Sequence, residues 1–180
     1  KIRRGTGFRE VFGPHPSPYG LNAHSAQAAK EIIRKSGVTE GYALDLGCDD
    51  GSLAFELAMR TKLFIYAIDP DPANVATARK KLTAAGLYGS RVMVLQADLE
   101  DTNLPRYFAN LIVSARSLQS PLSSVSLAEA NRSLRPYGGV IALGKSGKIK
   151  ATIRGPLEGA GEWTHQYANP GNTVNSADEL

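Results

Sequence analysis

Three aspartates fall at the ends of successive apolar runs: Asp45 in ALDLGCDDG, Asp69 in YAIDPDP and Asp98 in QADLED. The first sits at the mouth of a glycine-bearing loop, and that loop is the natural place to look for a nucleotide. A dinucleotide fingerprint G-x-G-x-x-G would begin at Gly47, but Asp49 and Ser52 stand at its second and third glycine positions. A pyrophosphate would lie against Asp49 and Asp50, where like charges repel. NAD and FAD are therefore disfavoured. The loop itself does not read G-x-x-x-x-G-K-[ST], so it gives no sign of phosphoryl transfer. The same acidic loop suits a ligand that carries positive charge and no phosphate.

S-adenosyl-L-methionine is such a ligand, with a sulfonium and an α-ammonium. Gly47 and Gly51 keep the backbone open to close approach. Asp69 lies about twenty residues beyond the loop, where an acidic side chain can accept from both ribose hydroxyls. Asp98 is placed to accept from an adenine amino group. Each acid also has a plainer role: Asp45 bonding the loop backbone, Asp69 sharing helix capping with Asp71, Asp98 closing a turn. Cys48 is the single cysteine. With no histidine near it in sequence, it reads as a small packed residue rather than a nucleophile.

These residues need strands to deliver them to one edge. Tyr42–Leu46 and Leu63–Ile68 are short apolar runs; Arg91–Gln96, Leu111–Ser114 and Val140–Leu143 follow. Between them, helices are expected over 52–60, 71–85 and 121–134, after a first helix over 23–36. In the helix over 71–85, Asp71 is the expected cap, Pro72 the first residue and Gly86 the stop. Such alternation predicts an α/β fold, a parallel sheet covered on both faces in the order 3-2-1-4-5. Ligands then bind beyond the carboxyl ends of the strands, beside the switch between strands 1 and 4. KIKATIR (148–154) alternates Ile149, Ala151 and Ile153 with polar residues, as a half-buried edge strand would. Arg79, Lys80 and Lys81 read as a solvated helix face.

Composition fits a globular chain: 42% hydrophobic, 21% charged, with a net charge of +4. One cysteine excludes an internal disulfide, and the three scattered histidines show no metal spacing. The mild basic excess does not indicate nucleic-acid binding, and no apolar run is long enough to cross a bilayer. Residues 1–22 form an irregular lead-in, 23–154 the folded domain, and 155–180 a linker or the start of another module. No export signal is visible at the N-terminus, and a first residue of lysine suggests a piece of a longer protein; the compartment is left open.

DLGCDDG, YAIDPDP, QADLEDTNLP, ANLIVS and LAEANRSLRPYGGVIAL together resemble the successive motifs of class I S-adenosyl-L-methionine-dependent methyltransferases, over about residues 25–143. The resemblance implies a Rossmann-like three-layer αβα sandwich. It implies that Asp45, Gly47, Cys48, Asp49 and Gly51 surround the methionine end, Asp69 and Pro70 the ribose, Asp98 and Leu99 the adenine, and that Ser114 adjoins the cofactor. The middle glycine of the loop is replaced by Asp49, the acid before strand 4 by Asn110, and the glycine after Pro136 by Tyr137. The usual last two strands are missing or reduced to KIKATIR. Strand 4 ends in SARS rather than an N-P-P-Y type motif, so the amide and amino-base methylation linked with that motif is not implied, and no catalytic base is evident. Ser114, Arg116, Tyr19 and His24 are the residues expected near the acceptor, a small molecule or a protein group. A second reading is a degenerate, non-catalytic scaffold domain. GLYGSRVMV, LPRYFANLIV and GEWTHQYANPGNTVNSADEL also resemble a bacterial multidomain family in which such a domain adjoins a PQQ-dehydrogenase-like β-propeller.

Overall fold

The computed structural model describes residues 18–20 and 22–160. The first segment of the lead-in, the EWTHQYANPGN stretch, Trp163 and His165 lie outside the described residues.

Six strands form one sheet in the order β3-β2-β1-β4-β5-β6. They are β1 (Glu40–Leu46), β2 (Lys62–Asp69), β3 (Val92–Gln96), β4 (Leu111–Val113), β5 (Val140–Leu143) and β6 (Lys150–Ile153). The first five pair in parallel and β6 returns antiparallel to β5. The predicted order holds, and KIKATIR supplies the added edge strand. Its burial departs from expectation. Ile149 is buried and Ala151 half-buried, but Ile153 is 69% exposed. Helix α1 (Ala23–Ser36) reaches this strand through Glu31 and Lys35, which bond Gly147 and Ile149, and Ile153 lies beyond those contacts.

Helices α1, α2 (Ser52–Ala58) and α3 (Pro72–Ala84) share one face of the sheet. Their apolar residues, among them Ala29, Ile32, Leu53, Leu57, Ala78 and Leu82, meet Ala43, Ile65, Val94 and Val113 from the strands. Asp71 caps α3 as expected, accepting from the Ala73 N–H, with Pro72 following it. Gly51 lets helices approach closely: a Cβ there would meet Ala78 at 3.1 Å and Tyr19 at 3.0 Å.

The opposite face carries α4 (Ser124–Ser133), which seals Leu44, Leu46, Ile68 and Ile112 with Ala130 and Leu134. The helix starts three residues later than the sequence suggests, where Ser123 caps it and accepts from Ser126 N–H. Both faces are covered as expected, with this one covered less completely towards the strand starts. Residues 97–110 contain no helix, and Tyr42 and Phe64 remain exposed, in ring contact with each other at 6.1 Å. That connection is instead pinned to α4. Glu129 accepts from the Thr102 N–H and hydroxyl, and Arg132 bonds both Glu129 and the Leu104 carbonyl.

Candidate cofactor site

All three strand-end acids stand on the carboxyl edge. Parallel register makes this unavoidable: Asp45 pairs with Ala67 on one side and Val113 on the other, and Asp69 pairs with Gln96. Asp45 is fully buried. One carboxyl oxygen accepts from Ala115 N–H at 2.9 Å, and the other has no hydrogen-bond partner among the described residues. Burial pushes its carboxyl up to about 7; the Ala115 bond opposes this, and the charges of Asp49 and Asp69 reinforce it.

The loop above it is built on left-handed backbone. Gly47 has φ 77°, Asp49 φ 49° and Gly51 φ 81°. Aspartate tolerates that region better than most residues, so Asp49 fits the turn without glycine. The Gly47 and Cys48 N–H groups both donate to Ile68 O, which binds the loop to β2. Cys48 is buried beneath the loop, and its thiol is pushed well above the usual range by burial first and then by the neighbouring acids. That is a packed residue, not a nucleophile. Asp49 is half-buried; burial, and then Asp69, raise its carboxyl, with Arg116 acting in the opposite sense. Burial also works against the Asp50 charge, but bonds from Lys81 and Ser52 outweigh it and hold its carboxyl low. Lys81 bonds Asp50 at 2.8 Å, and Arg79 donates to Val94 O, so two of the three cations read as solvated have partners.

Asp69 is fully buried and densely bonded. It accepts from Asp49 N–H at 3.0 Å, from Asp71 N–H at 3.0 Å and from the Asn74 amide at 3.1 Å. Arg116 reaches it at 3.6 Å. Asp98 is exposed and accepts from Glu100 N–H. With Pro70, Leu99 and Arg116 it lines a cavity of about 280 Å³. A second cavity of about 340 Å³ lies on the same edge, lined by Asp49, Asp50, Ser52, Asn22, His24, Ser25 and Asn74.

Ser114, expected beside the cofactor, is buried and lines neither cavity. Its hydroxyl accepts from the Ser117 N–H and its carbonyl from the Ser117 hydroxyl. Tyr19 packs on Phe55. Arg116, expected near the acceptor, lies over Gly47 and contacts Asp69, a direction that nothing local in SARS announced. One group escaped sequence reasoning: Glu129 with Arg132 fixes the connection carrying Asp98.

S-adenosyl-L-methionine fits what this edge offers. Gly47 leaves the loop without a side chain beneath Arg116, and Asp45 keeps one buried carboxyl oxygen with no partner among the described residues. The other departures have structural reasons. Asn110 accepts from Tyr42 N–H beside Gly41, where a Cβ would meet the amide at 2.5 Å. Tyr137 adopts φ 55° in an exposed turn before Gly138. Neither damages the site edge.

Comparison with known proteins agrees. The profile of the family described as "Methyltransferase domain" matches residues 43–138, just over half of the chain. A crystal structure of a candidate S-adenosyl-L-methionine-dependent methyltransferase of Methanococcus maripaludis superposes with a TM-score of 0.62 at 28% identity, over 67% of this chain and 55% of that one. A SAM-dependent methyltransferase of Aquifex aeolicus gives a TM-score of 0.57 at 22% identity, over 74% and 68%, and so speaks for the fold alone. The chain spans about half the length of the first solved structures it matches. No curated protein matches the sequence. Nothing in these comparisons favours the scaffold reading. The chain belongs to the methyltransferase-domain family, class I in fold, whose cofactor is S-adenosyl-L-methionine.

Proposed function

We propose that the chain moves a methyl group from S-adenosyl-L-methionine to a small-molecule or protein acceptor that enters beside His24. The observation that carries this reading is the pair of cavities on one sheet edge, the first bordered by Asp98 and Leu99, the second by Asp49 and His24. In this reading Asp45, Gly47, Asp49 and Gly51 hold the methionine end. Asp69 and Pro70 take the ribose, and Asp98 and Leu99 the adenine. Cys48 and Ser114 support the loop and the β4 end from below.

When bound, the cofactor supplies an activated methyl on a sulfonium. The chain's own work is positioning and exclusion of water. Asp49 and Asp50 draw cationic ligands to the second cavity. The left-handed loop fixes their backbone, and the bond from Asp49 N–H to Asp69 ties the loop to the end of β2. Where the acceptor must lose a proton, His24 is the side chain on the cavity wall suited to take it. Release of S-adenosylhomocysteine in the presence of candidate acceptors tests the reading. Turnover that falls in His24→Ala while S-adenosylhomocysteine still binds supports it; unchanged turnover removes His24 from the reaction.

The resemblance of residues 162–172 to the entry of a β-propeller supports a further proposal, that the adjoining module in the full protein is such a propeller. Intact mass and limited proteolysis of the longer protein would check it; a boundary elsewhere, or no β-rich fragment, contradicts it.

A further inference from the structure

Arg116 borders one of the two cavities and lies over the loop whose Asp49 borders the other. Arg116 follows β4 at the start of the 3-10 turn, and its backbone is fixed there by the bond from its N–H to Gly47 O at 2.9 Å. Its side chain then folds back over the glycine loop. A Cβ on Gly47 would lie 2.9 Å from the Arg116 Cβ and 3.1 Å from its Nε. The guanidinium ends 3.6 Å from the carboxylate of Asp69, at the end of β2, across β1 from β4. Arg116 borders the cavity of Asp98 and Leu99, and Asp49 borders the other. Arg116 therefore lies against Gly47 and beside Asp69, the residue assigned to the ribose.

We infer that Arg116 is a latch: it occupies the ribose acceptor on Asp69, and a nucleoside ligand binds by displacing it. This rests on the cofactor reading above. The exchange is physically balanced. Asp69 is otherwise satisfied by two backbone N–H groups and Asn74, so losing the guanidinium leaves no unsatisfied carboxylate. The arginine is 39% exposed, so it returns to water at little cost. An ion pair of that exposure holds weakly, so it sets an affinity without forbidding entry. Its departure also removes a positive charge from beside Asp69.

The test is calorimetric titration of S-adenosylhomocysteine and of adenosine into the full chain and into Arg116→Ala and Arg116→Gln, with melting curves to establish folding. Both ligands should bind the variants roughly three- to fivefold more tightly, the scale of a half-exposed ion pair. Binding by the variants alone supports the latch in its strongest form. Equal or weaker binding by folded variants, with wild-type binding intact, overturns the latch and leaves the cofactor reading standing. No binding by any of the three chains overturns both.

Discussion

Replacing Asp45 with asparagine separates the charge of this buried group from its shape. Its carboxyl ionises near 3.8 when exposed and at about 7 in the fold, with burial the main cause. A raised carboxyl means that folding disfavours the anion, so stability is greatest at low pH, falls as pH rises past about 3.8, and levels off above about 7. Every tenfold change in an ionisation constant corresponds to about 1.4 kcal/mol, so the full penalty approaches about 4 kcal/mol. At pH 5 roughly a third of it has developed, and at pH 8 all of it. Asparagine keeps the oxygen that accepts from Ala115 and carries no charge. The stability gain of Asp45→Asn over wild type should therefore be about 2–3 kcal/mol larger at pH 8 than at pH 5. For a chain of this size that is on the order of 5–10 °C in melting midpoint. Melting both proteins by circular dichroism across this range is the assay. A difference between variant and wild type that does not change with pH would refute the reasoning. The same sign governs the ligand: a cation beside Asp45 favours its anion, so cofactor binding should tighten from pH 5 to pH 7 in wild type and lose that slope in the variant.

Asp69→Ala should weaken S-adenosylhomocysteine binding by more than ~1 kcal/mol, since a charge-assisted acceptor is lost; titration of a folded variant with unchanged affinity would remove Asp69 from the site. Gly47→Ala should cost ~1–2 kcal/mol in denaturant melts, because φ 77° is strained for alanine and its Cβ would meet Arg116 at 2.9 Å. Glu129→Ala should loosen residues 97–110 and cost ~1–3 kcal/mol; faster amide exchange at Thr102 and Leu104 would report it, and protection equal to wild type would contradict it. Arg132 holds the Glu129 carboxyl below its usual range, so this contribution should fade as pH falls toward acid.

The sheet was legible because its strands are nearly continuous apolar runs punctuated by loops. The acids follow from that, since a parallel register puts Asp45, Asp69 and Asp98 on one edge once the strands are assigned. Asp71 and Pro72 marked a helix start through local chemistry alone. What sequence could not supply was direction across the fold. Arg116 meets Asp69 only because β4 lies beside β1 and the side chain folds over Gly47. Glu129 meets Thr102 across 27 residues. Ser114 stands at the end of a strand that points to the site, yet its hydroxyl turns down to accept from the Ser117 N–H. Incomplete cover over Tyr42 and Phe64 was likewise invisible, because alternation of strands and helices does not reveal which face a connection leaves bare.

If this acidic edge takes a cationic, phosphate-free nucleoside, parallel calorimetric titrations of S-adenosyl-L-methionine and NAD into the chain should give saturable heat with S-adenosyl-L-methionine at micromolar concentrations and none with NAD. Saturable binding of NAD, or no heat from S-adenosyl-L-methionine at high micromolar concentration, would contradict it.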